Sequence, residues 1–522
     1  MKTEKIFFSC SNYTLVTFLF IAVKLCLHLC TNSNYELHRD ELLYFNMGDH
    51  LSFGYATVPP VTGFLAFIIK TIFGYSVSGV RLIPAILGSL SLLMISKIVR
   101  EMGGGLTALI IASASYLLSP GFLLLDTLFT PNATEQFLWL LVTYLIFRMA
   151  VTGKPYYWIL TGILLGISFL NKYSVLFFIS GFFIALLFSE YRKLLWSGYL
   201  YLAIAIGIAI ITPNIIWQYS HNWPVVIHMS ELNRTQLTNM NLFSFLADLF
   251  SLNLASTVVW LFGLTSLLFM KEERRFRFIG TASILIILMF LLLKGKGYYA
   301  LGVIPFLFAA GGYTMEKYLC GKLESVRNSI LIIIILVSVT ALPTGLPLLS
   351  FEKYSDYRGH TKFLKIYPFY RWEDGKVRDI SQVYSDMAGW SELAGYTAKA
   401  YNKLSEDEKK NCTIYGERNY GYAGAIHFYG KRYGLPDAVT FHESYIFWAP
   451  DSIPDGPLIY INSRQDDLNE LFGEITEEGC VRNKYFRENG LKVFICKSPK
   501  RDISEVYRNL ALKEKSIYYP HE

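Results

Sequence analysis

The stretch HRDELLYFNMGDHLSFGYATVPP, residues 38–60, puts three acidic residues, an arginine and two histidines between long apolar runs. The runs near 13–30 and 79–99 on either side are long enough to cross a bilayer as helices. The polar stretch therefore reads as a loop between membrane spans. Asp40 and Glu41 stand at the start of a helical pattern, where an aspartate is a good N-cap. Asp40, Tyr44 and Gly48 then share one helix face, and Asn46, Asp49 and His50 another. Val58, Pro59 and Pro60 stop the helix and turn the chain. Two carboxylates beside Arg39 at a membrane surface are costly unless solvated or paired. Their spacing fits capping and catalysis equally well.

Outward from this loop, further apolar runs lie near 104–120, 132–150, 156–170, 173–189, 194–213, 248–270, 276–293, 298–315 and 328–348. Together they predict about eleven spans and a mainly α, polytopic membrane protein. Residues 61–73 are too short to cross and contain Lys70, so they read as an interfacial helix. Lys24 inside the first run reads as a lysine that faces other helices or snorkels. No small-x-small cleavage site follows Cys30, so the first run reads as an uncleaved span. No nucleotide-binding GxxxxGK[ST] loop occurs to suggest an ATP-driven pump.

Charge divides the 522 residues in two. The first 350 hold 38 charged residues and the last 172 hold 51, and the net charge of +7 splits as +8 and −1. A membrane domain, 1–350, thus precedes a soluble-type domain, 351–522. The soluble part has no basic excess, which argues against nucleic acid. With the N-terminus inside, loops on that side hold fifteen basic residues against seven outside, a positive-inside bias. That orientation puts loop 31–78 and region 351–522 outside the cytoplasm.

Region 351–522 reads as α/β. Segments 412–416, 457–463 and 491–497 look like strands, and 388–404 and 465–474 like helices. The loop HESYIFWAP, 442–450, is either a packed aromatic cluster or a platform for sugar faces. Cys412, Cys480 and Cys496 allow at most one disulfide within this region, and no metal-ligand spacing occurs.

The ordered set RDELLYFNMGDHLSFGYATVPP (39–60), GVRLIPAILGSL (79–90), TPNATEQFLWLLVTYLIFR (130–148), LNKYSVLF (170–177), PNIIWQYSHNWP (213–224) and KGKGYYALGVIPFLFAAGG (294–312) resembles membrane glycosyltransferases of the GT-C fold. The likeness is to bacterial members of glycosyltransferase family 39, relatives of protein O-mannosyltransferases and lipid A aminoarabinose transferases. SDMAGWSELA (385–394) and YGERNYGYAGAIHFYGKRYGLP (415–436) resemble the outer domain of the bacterial members.

The resemblance implies inverting transfer of a sugar from a polyprenyl-phosphate donor to an acceptor hydroxyl or phosphate at the outer face of a bacterial inner membrane. It implies Asp40 as catalytic base, with Glu41 beside it. A carboxylate suits that role, because it can take a hydroxyl proton and stabilise an oxocarbenium-like sugar. The lipid phosphate needs cations, and Arg39, Arg81, Lys172, Lys294 and Lys296 are available. Arg81 and Lys172 equally suit span ends at the headgroups. Lys294, Lys296 and Tyr298 belong to the resembling KGKGYY. Tyr44, His50 and His221 are candidates for sugar contact, and Asp126 and Glu135 for a place in the cavity. One departure stands out. Val58 occupies the region where the lipid A relatives carry a lysine before proline. No motif demands a cofactor, and a divalent ion stays open. The acceptor is a glycan, a lipid or a protein. Alternative functions are a flippase for a lipid-linked sugar and a noncatalytic glycolipid-binding protein.

Overall fold

A chain in hydrocarbon must satisfy its backbone polar groups internally, and helices do so within one segment. The computed structural model describes residues 2–361, 367–465 and 468–519. Among these, eight helical stretches are long and apolar enough to cross a membrane: Asn12–Thr31, Val77–Met102, Pro131–Thr152, Gly198–Ser220, Leu242–Phe269, Lys271–Leu292, Gly297–Tyr318 and Gly321–Thr340. Four shorter apolar helices are Val61–Phe73, Leu106–Leu118, Tyr157–Asn171 and Val175–Leu187. The protein is a multi-pass membrane protein, and each of the eleven runs overlaps a helix. Three come out shorter than a full span. At one of them, Ser119 and Pro120 end the helix Leu106–Leu118 and begin another, Pro120–Thr127, because proline cannot continue the hydrogen-bond ladder.

Contacts sort the chain into two compact units. One comprises Met1–Asn32, Arg81–Pro213 and Leu232–Asp379; the other comprises Ser33–Val80, Asn214–Glu231 and Ile380–Glu522. This differs from a single cut at residue 350. Residues 351–379 group with the spans, where Arg371 pairs with Asp248 at 3.1 Å and Glu373 with Lys296 at 3.0 Å.

In the first unit, small residues let helices approach. A Cβ on Gly263 would strike the Leu307 carbonyl, and one on Gly311 the Val259 carbonyl. Such close backbone contact is the usual way membrane helices associate. Lys24 does face other helices. It is fully buried and pairs with buried Asp126 at 2.7 Å, with the Tyr116 ring 5.1 Å from its ammonium. Tyr116 and Gln136 also donate to Asp126.

The second unit carries a four-stranded sheet. Its strands are β1 (Thr413–Gly416), β2 (Leu458–Asn462), β3 (Phe472–Cys480) and β4 (Lys492–Pro499), in the order β1-β2-β4-β3. β1 runs parallel to β2, and β4 runs antiparallel to both β2 and β3. Leu458, Tyr460, Phe472, Phe494 and Tyr507 close a core on one face. Three strands lie where the sequence predicts them. The helix expected over 465–474 is corrected: Leu468–Leu471 is helical, β3 follows at once, and 466–467 lie outside the described residues. β3 is an edge strand bearing Glu474, Glu477 and Glu478. Charged side chains are common on edges because they discourage further pairing, and they hide the strand from a reading of apolar periodicity. Cys412, Cys480 and Cys496 are free thiols.

The Lys24–Asp126 pair yields a prediction. Lys24→Met leaves a buried carboxylate without its counter-charge and costs about 3–5 kcal/mol. Thermal unfolding in detergent should show the loss, and Lys24→Met/Asp126→Leu should recover most of it. No recovery would mean that the carboxylate is not the source of the cost.

Candidate active site

The helix predicted after residue 38 is Arg39–Met47, but its cap is His38. The imidazole Nδ1 accepts from the Asp40 amide at 3.1 Å, and the Glu41 carboxylate accepts from the His38 amide at 2.8 Å. This reciprocal arrangement satisfies two amides that a helix start leaves over. Glu41 is fully buried in that role. Asp40 is thereby spared from capping, and its side chain stays about one-third exposed. Its carboxylate sits in the first turn, where the helix dipole favours negative charge.

Several groups converge on Asp40 within the second unit. The Tyr420 hydroxyl donates to its Oδ1 at 2.5 Å. Arg39 Nε lies 3.7 Å from the same oxygen, and the guanidinium sits over the Tyr420 ring at 5.2 Å. His38 Nε2 faces Asp386 at 3.6 Å, and Arg487 pairs with Asp386 at 3.1 Å. The Asp386 carbonyl also accepts from the Arg39 amide at 3.1 Å, which ties the helix start to loop 385–389. Burial pushes the Tyr420 hydroxyl well above its usual range, so it remains a donor.

A second pair lies in the same electrostatic environment. His228 Nδ1 is 3.5 Å from Glu443. Burial works against the charge on each. The mutual pairing prevails, so His228 is raised and Glu443 lowered. Asp40 and Glu231 add to the rise at His228.

The sequence names Asp40, Arg39 and Tyr44 together, and the structure keeps them on one helix, with Tyr44 half-buried. It does not name Tyr420, Asp386, His228 or Glu443. Tyr420 and Asp386 do fall in segments that carry the family resemblance, but a polar residue in a segment does not announce its long-range partner. His50 stacks on Trp448 with centroids 4.5 Å apart. His221 stacks on Trp217, and its Nδ1 lies 2.8 Å from that residue's carbonyl oxygen. In the loop 442–450, Tyr445 and Ile446 are buried, and Phe447 packs edge-on against Trp217. That loop is mainly a packed cluster.

Within the first unit the other candidates fall into separate groups. Arg81 is buried and donates to the Asn32 carbonyl at 2.7 Å. Asp126 is held by Lys24, as above. Glu135 pairs with Lys172 at 2.9 Å, and Lys172 lies 4.7 Å from the Tyr299 ring and 6.0 Å from that of Tyr298. Lys296 reaches Gln236 at 2.8 Å as well as Glu373. Lys294 is exposed. An apolar cavity of about 300 Å³ opens among Trp158, Gly162, Phe169, Phe178, Phe182 and Ile208. Among the described residues, no three His, Cys, Asp or Glu side chains converge as metal ligands would.

Comparisons with known proteins agree with this fold. A model of the dolichyl-phosphate-mannose-protein mannosyltransferase family matches residues 57–217. The chain is 24% identical over 211 residues to the lipid A galacturonosyltransferase RgtD of Rhizobium johnstonii. That match takes in 39% of this chain and 43% of RgtD, so less than half of the relative's length is spanned. The fold is similar to ArnT from Cupriavidus metallidurans bound to undecaprenyl phosphate, with a TM-score of 0.61 at 15% identity over 92% of this chain and 98% of that one. The apo state of ArnT gives a TM-score of 0.60.

A network beside the site carries a pH prediction. His427 is buried, with Nε2 2.9 Å from Asp49 and Nδ1 3.0 Å from Asp437. Lys70 also pairs with Asp49. Burial alone would raise Asp49, but His427 and Lys70 hold it well below its ordinary value. The His427 hydrogen bond holds Asp437 down at about 2. Carboxylates depressed in this way stabilise the fold fully above the unfolded value of 3.8 and lose that contribution as the pH falls through their folded values. His427→Ala should therefore lower the unfolding midpoint at neutral pH, with the gap to wild type closing below pH 3.8. A gap independent of pH would mean that lost packing alone is responsible.

Proposed function

We propose that this chain, a membrane protein of the GT-C glycosyltransferase fold, transfers a sugar from a polyprenyl-phosphate donor to an acceptor hydroxyl. The observation that carries the reading is Asp40: a partly exposed carboxylate in the first loop, relieved of capping by His38 and Glu41, in a fold shared with ArnT.

Asp40 takes the acceptor hydroxyl proton as the acceptor oxygen bonds to the anomeric carbon. The bond from that carbon to the phosphate oxygen breaks, and its electron pair leaves on the phosphate. Attack opposite the leaving group inverts the anomeric centre. Asp40 then returns its proton to water. A lipid phosphate leaves without prior protonation, so one base suffices where a glycoside hydrolase needs two carboxyl groups.

Lys172, Lys294 and Lys296 are the proposed contacts for the departing phosphate, whose charge calls for cations. The apolar cavity of the first unit suits part of a prenyl chain. Burial of such a chain contributes roughly 0.8 kcal/mol per methylene. The positive-inside bias supports a reaction at the extracytoplasmic face, and the family resemblance supports a bacterial inner membrane. The acceptor is a glycolipid, a glycan or a protein, and the sugar a hexose or pentose.

Asp40→Asn keeps the side chain's shape and removes its basicity. Transfer should fall by about 10²–10⁴-fold, the usual worth of a positioned base, while thermal unfolding stays near wild type. Mass spectrometry of lipid-linked and surface glycans should show one product vanish in cells that carry only this variant. An undiminished product would reject Asp40 as base. Lys296→Ala should raise the donor concentration needed for half-maximal transfer while leaving the acid limb of the pH profile in place.

A further inference from the structure

The Asp40–Tyr420 contact joins the first loop to the region after residue 380, and the sequence around it explains why it forms. Tyr420 opens the helix Tyr420–Tyr429, whose cap, Asn419, accepts from the Gly421 amide at 2.8 Å. The same asparagine donates to Glu488 at 3.0 Å, and the Tyr422 hydroxyl donates to Glu488 at 3.2 Å. The start of this helix is thus fixed on two sides. Its packing against Arg39–Met47 is equally constrained. A Cβ on Gly424 would come within 2.7 Å of the Leu42 Cβ, so only glycine permits this approach. The two helices bring their N-terminal turns together, with Asp40 in one and Tyr420 in the other.

We propose that Tyr420 is the positioning residue for Asp40: its hydroxyl holds Oδ1, fixes the rotation of the carboxylate and widens the pH range in which Asp40 acts as a base. The inference rests on the function proposed above. A carboxylate rotates freely about its last bond, and a base must present a defined lone pair to the acceptor hydroxyl. A hydrogen bond given to the charged form also favours that form. Arg39, stacked on the Tyr420 ring and close to Oδ1, works in the same direction; His38, with Nδ1 3.9 Å from Oδ2, and the His228–Glu443 pair also face this carboxylate and are the same in wild type and in Tyr420→Phe. Tyr420 is buried and cannot swing away to solvent. The C-terminal region therefore supplies part of the catalytic constellation.

The test uses the full-length protein in detergent. A water-soluble carbodiimide adds to protonated carboxyl groups, and peptide mass spectrometry resolves labelling at Asp40 from that at Glu41. The pH midpoint of Asp40 labelling should rise by about one unit in Tyr420→Phe, the expected size for a lost hydrogen bond to a charged group. Gly424→Ala keeps the hydroxyl but pushes the helices apart, and should shift the midpoint the same way. In isolated membranes, Tyr420→Phe should lower maximal transfer, leave the donor requirement unchanged and move the acid limb to higher pH. An unchanged labelling midpoint in Tyr420→Phe overturns the proposal. The two readings fail separately. Undiminished product with Asp40→Asn rejects the base, whereas the labelling experiment reads the Tyr420–Asp40 link whatever the reaction.

Discussion

The approach of two short helices, Arg39–Met47 and Tyr420–Tyr429, is the constraint on which the candidate site depends. Gly424 sets its closeness against Leu42, and Asn419 and His38 cap the two ends that meet. Residues 48–419, 372 of them, separate these helices. Their union costs loop-closure entropy, which grows slowly with length. What must offset it is local: apolar burial around Leu42, Phe45 and Phe428, with Phe45 and Phe428 edge to face at 5.1 Å. A carboxylate at one helix start and a hydroxyl at the other are then held without the mobility of a loop.

The division of labour between Asp40 and Glu41 follows from the same geometry. Adjacent on a helix, they point about 100° apart. Only the third helical position can reach back to the cap amide, and Glu41 occupies it. Asp40 is left beside Tyr420 and Arg39 with about one-third of its side chain exposed. Neighbours of nearly identical chemistry thus differ, one a buried cap and the other partly exposed, for reasons of angle alone.

Ionic groups in and beside the spans follow a different rule. Lys24, Asp126, Glu135 and Lys172 each have a partner of opposite sign within 2.9 Å. A hydrocarbon solvent makes unpaired charge prohibitive. The Lys24–Asp126 pair is wholly enclosed and belongs to the scaffold, whereas the Lys172–Glu135 pair is partly open and flanked by Tyr298 and Tyr299. Partial exposure together with aromatic faces sets the latter apart from the enclosed pair.

The sequence by itself determined the membrane class, the positions of the helical runs, the α/β character of the C-terminal region and the GT-C resemblance. Each rests on periodicity, span length or ordered motifs, which are properties of neighbours along the chain. It also singled out Asp40, because an acidic pair beside a span is conspicuous. It missed β3, whose glutamates mask an edge strand that exists only because β4 pairs with it. Only the tertiary structure decided that Glu41 caps while Asp40 stays open, that Lys24 pairs with Asp126, and that Tyr420, Asp386, His228 and Glu443 gather around the first loop. It also grouped 33–80 and 214–231 with the region after 380 rather than with the spans. The physical reason is common to all of these. Side-chain partnership and strand pairing are made by distance in space, and a linear pattern carries no record of which distant residues will meet.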